Sequence, residues 1–130
     1  MSKRSITYTI ERAPQPWTRA RMCGRRFYDG QTSEKYAYGL LMQQQHGHNP
    51  PFEGPLALEV TFYLPTTRNS VQKKLTHHSN TPDLDNLLKF LLDAASTAEI
   101  ISDDRIISHI TARKFYGAKA MTVFTFSEVE

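Results

Sequence analysis

Hydrophobic and polar residues alternate most regularly between positions 56 and 64. The apolar positions of this stretch are Leu56, Leu58, Val60, Phe62 and Leu64. A period of two predicts a β-strand, and the density of apolar residues favours a central one. The same alternation predicts an opening strand at residues 6–11 and a closing strand at residues 121–129. Residues 105–116 also have strand character, and Gly117 predicts a hairpin between the last two strands.

A helical period replaces this alternation from residue 84 onward. The apolar stripe consists of Leu84, Leu87, Leu88, Leu91, Leu92 and Ala95. Such spacing is typical of a helix that packs on a sheet. We expect it to begin with Thr81 as the N-cap and Pro82 at the first helical position. An earlier helix is predicted from Ser33 to about Gln45, with an apolar face made of Tyr36, Leu40 and Leu41.

Two polar, basic segments separate these elements. Residues 17–29 are predicted to be irregular, and residues 65–82 to form a long loop of the kind that is functional or mobile. The resulting order is β-α-β-α-β-β, which indicates an α+β fold with a mixed or antiparallel sheet and two helices. With 130 residues and a mass of 14.9 kDa, the chain is expected to form one domain over residues 1–130.

Composition excludes several classes of protein. No stretch approaches the roughly 20 apolar residues of a membrane span, and no signal peptide is expected at the amino terminus. The single cysteine, Cys23, excludes an internal disulfide and fits a reducing cytoplasm. We therefore expect a cytoplasmic protein that does not bind a membrane.

Basic residues are clustered, although the net charge is only +3. One group precedes the first predicted helix, and it comprises Lys3, Arg4, Arg12, Arg19, Arg21, Arg25 and Arg26. The second group, Arg68, Lys73 and Lys74, lies in a loop without any acidic residue. Clusters of this kind are typical of proteins that bind a polyanion such as DNA. Chance clustering on a solvated surface is the alternative interpretation.

Four of the 13 acidic residues lie in two short clusters. Asp83 and Asp85 open the second predicted helix, and Asp103 and Asp104 end the loop that follows it. A helix and its return loop can bring both clusters to one place, where their carboxylates would repel each other unless a cation were present. Hard oxygen ligands suit Mg²⁺ or Mn²⁺. With Lys89 nearby, the clusters indicate metal-dependent cleavage of nucleic-acid phosphodiesters.

Helical geometry limits how Asp83 and Asp85 can act. Two residues apart in a helix, their side chains would point about 200° away from each other. They can share a cation only if Asp83 precedes the helix. The alternative is that both are ordinary first-turn residues, favoured by the helix dipole. Asp85 and Lys89 would then form a surface i, i+4 pair, and Asp103–Asp104 a turn.

The segment Pro82-Asp83-Leu84-Asp85-Asn86-Leu87-Leu88-Lys89 resembles the RusA-type Holliday junction resolvases. That family combines a D-[LIV]-D-N-[LIV]-x-K helix with a D-D pair about nineteen residues later and then a basic residue. In this chain the D-D pair is Asp103–Asp104 and the basic residue is Lys114. The resemblance is specific over residues 82–114. Asn80-Thr81-Pro82 stands where some members carry a basic run, so the preference among branched substrates stays open.

The resemblance implies a homodimeric, Mg²⁺-dependent endonuclease of bacteria or their phages, without an organic cofactor. Such enzymes cut symmetrically opposed strands of four-way DNA junctions. The residues expected to hold the metal are Asp83, Asp85 and Asp104, together with Asp103, and Lys89 is expected to be the essential basic partner. The residues expected to bind DNA are Arg19, Arg21, Arg25, Arg26, Arg68, Lys73, Lys74 and Lys114.

Two other functions remain open at this point. One is a structure-selective nuclease that prefers flaps or forks, and the other is a dimeric protein that binds branched DNA with little catalysis. Two pairs of histidines, His46 with His48 and His77 with His78, lie in different loops, and their spacing matches no closed zinc site. Trp17 lies among arginines, where it would either stack on unpaired bases or pack against the core.

Overall fold

The computed structural model describes residues 3–18, 21–23, 26–28 and 32–129, and the side chains of residues 21–23, 26–28 and 32 lie outside the described part. Its strands are β1 (Ser5–Ile10), β2 (Arg21–Cys23), β3 (Arg26–Tyr28), β4 (Leu56–Pro65), β5 (Ile107–Gly117) and β6 (Met121–Glu128). Its helices are α1 (Thr32–His46), α2 (Arg68–Gln72) and α3 (Leu84–Thr97), followed by a 3₁₀ turn at Asp104–Ile106. The predicted α+β class is confirmed.

A mixed sheet of four strands forms one layer, in the order β1-β6-β4-β5. Strand β6 is antiparallel to both β1 and β4, whereas β4 and β5 are parallel. Strand β4 therefore pairs on both sides, and all five of its predicted apolar residues are buried. The prediction of a central strand at residues 56–64 is confirmed.

Helices α1 and α3 form the second layer and cover one face of the sheet. Alternate residues of β1, β4 and β6, such as Tyr8, Val60 and Phe124, share one buried core with helix residues such as Met42 and Phe90. The buried line on α3 consists of Leu87, Phe90, Leu91, Ala94 and Ala95. The rest of the predicted stripe, Leu84, Leu88 and Leu92, is partly buried beside it. The prediction that α3 packs on the sheet is thus confirmed. The buried line on the helix is centred on Phe90 and Ala94.

The structure corrects the predicted topology at three points. The last two strands do not form a hairpin, because β4 lies between β5 and β6 in the sheet. The chain crosses from β4 through α3 into β5, and a strand that follows a helical crossover returns parallel to its predecessor. The described part of the chain contains three helices instead of the predicted two, since residues 68–72 form α2. The segment 17–29, predicted to be irregular, contains the paired strands β2 and β3.

The predicted apolar face of α1 is wrong for two of its three residues, since only Leu41 packs, partly buried, against the core. Tyr36 and Leu40 are 68% and 42% exposed, whereas Tyr38 and Met42 are buried in the core. Apolar residues occur on both sides of this helix, so its sequence did not identify the side that meets the sheet. None of the described helices is both long and apolar enough to cross a membrane.

The segment between β4 and α3 lies along the edge strand β5. The Tyr116 N–H donates to the Thr76 carbonyl at 2.8 Å, and the His78 N–H donates to the Lys114 carbonyl at 3.1 Å. Helix α2 itself is held by a capping box between Thr67 and Ser70. These bonds satisfy part of the exposed edge of the sheet and guide the chain toward the start of α3.

We expect Gly54→Ala to destabilise the protein more than Gly47→Ala does. Both glycines have positive φ, +95° and +65°, so an alanine is strained at either by about 1–2 kcal/mol. Only at Gly54 would the new Cβ also collide with Ile106, whose Cβ would lie 2.6 Å away. Urea unfolding of both variants measures the difference. Equal losses of unfolding free energy would show that the contact with Ile106 is not tight.

Candidate active site

The chain enters α3 with Asp83 as the N-cap. Its backbone is extended, with φ −71° and ψ 143°, and its carbonyl accepts the Leu87 N–H at 3.1 Å. The predicted start at Thr81 and Pro82 is therefore wrong by two residues. An N-cap aspartate usually accepts a backbone N–H of the first turn, but the Asp83 side chain makes no such bond. Asp83 thus precedes the helix, and its carboxylate is not used for capping.

Lys89 lies on α3 one turn after Asp85. Its ammonium stands 4.1 Å from the centroid of the Trp17 ring, a cation–π geometry, and in the described part of the chain it makes no ion pair with Asp85. The backbone N–H of Trp17 donates to the Asn86 carbonyl at 2.9 Å. The partly buried Trp17 also packs against the core, which agrees with the packing interpretation of this residue.

The second acidic cluster lies on a turn that the core holds in place. Phe52 and Ile101 are buried, and backbone hydrogen bonds of 2.9 Å join Phe52 to both Ile100 and Ser102. Asp103 follows directly and caps the 3₁₀ turn, where its Oδ1 accepts the Arg105 N–H at 3.0 Å. The two aspartates therefore stand at a defined place beside α3.

The two carboxyl groups of this cluster differ in acidity. The hydrogen bond from the Arg105 N–H, followed by the one shared with Asp104, lowers the pKa of Asp103. The hydrogen bond shared with Asp103, followed by desolvation and the Asp103 charge, raises the pKa of Asp104 above that of an ordinary aspartate. Of the two carboxyl groups, Asp104 therefore binds a proton more readily. Such a pair is a place where a cation can replace a proton.

Sequence reasoning missed the carboxylate of Asp93. Its negative charge contributes to the raised pKa of Asp104, so it lies near the acidic turn. It also forms an ion pair with Lys35 of α1 at 2.7 Å. Asp93 comes one helical turn after Lys89 and two turns after Asp85, and this i, i+4, i+8 spacing was the signal that could have identified it.

The carboxylates are distributed along α3 and do not form a closed cage. Among the described residues, no group of three or more His, Cys, Asp or Glu side chains is placed to hold a metal ion. Asp83 and Asp85 lie at the start of α3, whereas Asp103 and Asp104 interact with each other and with Asp93. Mg²⁺ usually takes only one or two carboxylates and completes its shell with water and substrate phosphate oxygens. These oxygen donors suit such a cation. That the carboxylates bind one ion together stays a prediction.

A groove of about 540 Å³ opens beside Asp83. Its walls include Pro14, Trp17, Leu64, Pro82 and Asn86. It lies between the amino-terminal segment and the start of α3, where substrate could reach the Asp83 carboxylate. A second groove of about 170 Å³ lies between α1 and α3, and no acidic residue lines it.

The residues predicted to bind DNA fall into three groups. Arg19 and Arg25 lie outside the described residues, and the side chains of Arg21 and Arg26, in β2 and β3, also lie outside the described part. Arg68, Lys73 and Lys74 are exposed on α2 and just after it. Lys114 differs from these, because its ammonium donates to the carbonyls of Asn80 and Pro82 at 2.7 and 2.8 Å.

His46 is a core residue. Its Nδ1 lies 2.7 Å from the Tyr8 hydroxyl, and its Nε2 lies 3.1 Å from the Pro50 carbonyl. Both ring nitrogens therefore have partners within the fold.

The sequence matches one family model, described as endodeoxyribonuclease RusA, over residues 10–125. No curated protein matches this sequence. The matched range runs from the end of β1 into β6 and contains both acidic clusters, Lys89 and the groove beside Asp83. The resemblance read from residues 82–114 is thereby confirmed, and this chain belongs to the RusA endodeoxyribonuclease family.

Proposed function

We propose that this nuclease resolves four-way DNA junctions by paired, symmetric cleavage and depends on Mg²⁺, with Mn²⁺ as a substitute. The observation that carries the proposal is the Asp83 carboxylate, which stands at the start of α3, unused for capping, beside an open groove. Membership of the RusA family supports nuclease chemistry and a branched DNA substrate. The metal, the symmetry of cleavage and the dimer are parts of the proposal.

The proposed metal ligands are Asp83, Asp85 and Asp104, with Asp103 beside them. A divalent ion, if held by these residues, would supply a hydroxide equivalent near neutral pH and would polarise a phosphoryl oxygen. The chain itself supplies hard oxygen donors whose mutual repulsion favours a cation. The raised pKa of Asp104, caused first by the hydrogen bond shared with Asp103, means that protons compete with a cation for this carboxylate more strongly than at an ordinary aspartate. Asp93 adds negative charge on the same side of α3 and strengthens this preference.

Lys89 is the proposed basic partner in the reaction. Contact with an aromatic face contributes only about 0.5–1 kcal/mol at an exposed site, so the Trp17 ring orients this ammonium without neutralising it. The charge is thus available to a phosphate that enters the groove. A preorganised cation that meets developing negative charge acts mainly in the transition state.

The basic segment around α2 is the proposed DNA contact within the described part of the chain. Arg68, Lys73 and Lys74 are exposed, and the stretch from Thr66 to Pro82 contains no acidic residue. Lysine and arginine that neutralise phosphates release condensed counterions, which supplies affinity without sequence preference. Arg19, Arg21, Arg25 and Arg26 are proposed as further contacts on sequence grounds.

A second copy of the chain is proposed to complete the enzyme, because two equivalent strands of a junction call for two active sites related by two-fold symmetry. The apolar residues of β4 and α3 are largely taken up by the core, so they leave little surface for an interface. The large apolar side chains left exposed on α1 are Tyr36 and Leu40, beside the smaller groove. This α1 patch is the surface that we propose for the interface.

We expect Asp83→Asn, Asp85→Asn and Asp104→Asn each to lower junction cleavage by at least about a hundredfold, the scale seen when one transition-state contact is lost. Junction binding should stay equal or become tighter, because each change removes a negative charge that repels phosphate. Single-turnover cleavage and a gel-shift titration measure the two effects. Glu99→Gln, which removes an exposed carboxylate just beyond α3, is the control. An Asp85→Asn protein that cuts at the wild-type rate would contradict the assignment.

We expect a mixed dimer of wild type and Asp85→Asn to nick one strand of a four-way junction without resolving it. Each active site acts on one strand, so one intact site leaves the opposite strand uncut. Differently tagged subunits allow the heterodimer to be purified and its products to be separated on a denaturing gel.

Leu40→Glu should yield monomers in sedimentation if the α1 patch forms the interface. A wild-type monomer in the presence of junction DNA would favour a flap or fork nuclease.

A further inference from the structure

The ammonium of Lys114 joins β5 to the chain just before α3. It donates to the Asn80 carbonyl at 2.7 Å and to the Pro82 carbonyl at 2.8 Å. Both are charge-assisted hydrogen bonds, which are shorter and stronger than those between neutral groups. Two of the three ammonium donors are therefore used within the protein. This pair of bonds is called the Lys114 tether below.

The Lys114 tether ends one residue before Asp83. Pro82 precedes Asp83, whose carbonyl is already held by the Leu87 N–H. Asp83 is consequently fixed from both sides, by α3 after it and by β5 before it. Its own side chain makes no capping bond, so the backbone on either side determines where the carboxylate points.

Strand β5 is a rigid base for this contact. It pairs with the central strand β4 over its whole length, and Lys114 lies opposite the buried Phe62. The Lys114 carbonyl also accepts the His78 N–H at 3.1 Å, so one residue holds the incoming segment at two places. The position of Lys114 is thus set by the sheet and does not depend on bound DNA.

We propose that Lys114 is a positioning residue, which acts on the reaction through Asp83 and does not act as a phosphate contact. This inference rests on the proposed role of Asp83 as a metal ligand. Groups that orient the ligands of a metal contribute to its affinity, and their loss typically weakens binding about 10–100-fold. The prediction that Lys114 binds DNA is replaced by this role.

The variant Lys114→Met removes the donors and nearly preserves the shape of the side chain. We expect faster amide hydrogen exchange in peptides that cover residues 79–87, without change in α1 or β4. We also expect Mn²⁺ affinity, measured by electron paramagnetic resonance without DNA, to fall about 10–100-fold. Lys114→Arg keeps a cation with several donors and should restore at least part of that affinity.

DNA binding in Ca²⁺ separates the two roles of Lys114. A phosphate contact contributes about 0.9 to the slope of log affinity against log salt, so Lys73→Met should lower the slope by about one. Lys114→Met should leave it unchanged. Lys119→Met removes an exposed lysine that pairs with Glu11, and it controls for the loss of charge alone. All variants can be compared as intact chains, with circular dichroism to verify folding.

Three results would overturn the inference: unchanged exchange at residues 79–87, unchanged Mn²⁺ affinity, or a salt slope that falls by about one in Lys114→Met. Failure of the proposed function has a different signature. A wild-type protein that neither binds Mn²⁺ nor cuts junctions would refute the metal site, whereas the hydrogen-exchange comparison would still decide whether Lys114 holds this segment. If Lys114→Met fails to fold, Lys114→Gln is compared instead; it exchanges the ammonium for a neutral amide on a shorter side chain, so the same changes are expected at smaller size.

Discussion

The packing of α3 on the sheet is the interaction on which the rest of the site depends. One side of the helix is buried through Leu87, Leu91 and the other buried residues of α3, so the opposite side faces outward. Asp85, Lys89 and Asp93 repeat at intervals of four and lie along that outward side. Burial of one apolar side chain stabilises a protein by about 1.5–3 kcal/mol, far more than a surface ion pair does. Hydrophobic packing, not attraction among charges, therefore sets the direction of the reactive groups.

Carboxylates placed in this way remain a source of repulsion. Asp103 and Asp104 share a hydrogen bond, and the pKa of Asp104 is raised by that bond, by desolvation and by neighbouring negative charge. Lys35 neutralises part of this charge through Asp93, but it lies on another helix. Such repulsion favours the proposed cation, to which Asp83 at the start of α3 would offer an additional oxygen donor. The fold holds these acidic side chains close together, and their mutual repulsion is the electrostatic cost of that arrangement.

Sequence reasoning succeeded where one period dominated the pattern. The alternation at β4 and the stripe on α3 each identified a buried face, because burial is what creates such periods. It failed on α1, which has apolar residues on both sides, and on the order of the last strands, since strand neighbours depend on contacts between distant residues. The predicted start of α3 lay two residues too early, because Thr81 and Pro82 carry the same local signals as a true N-cap and first helical residue.

The residue types of the candidate site could be predicted from the sequence, but the contacts that hold those residues in place could not. Asp83, Asp85, Lys89 and the Asp103–Asp104 pair follow from a short motif with defined spacing. The Lys114 tether and the contact of Trp17 with Lys89 join residues far apart in sequence, and only the folded chain brings them together. Asp93 is an intermediate case. Its spacing from Asp85 and Lys89 is visible in the sequence, but its proximity to Asp104 is visible only in the folded chain.

The most direct test of the account is the anomalous diffraction of Mn²⁺ soaked into crystals of the wild-type protein. The account predicts a peak beside the start of α3, with carboxylate oxygens of Asp83 and Asp104 within about 2–2.5 Å. The same peak should be absent from Asp83→Asn crystals grown in parallel. Mn²⁺ bound only elsewhere on the protein, or no bound ion at a concentration that supports cleavage, would contradict the central claim that these carboxylates converge on one cation.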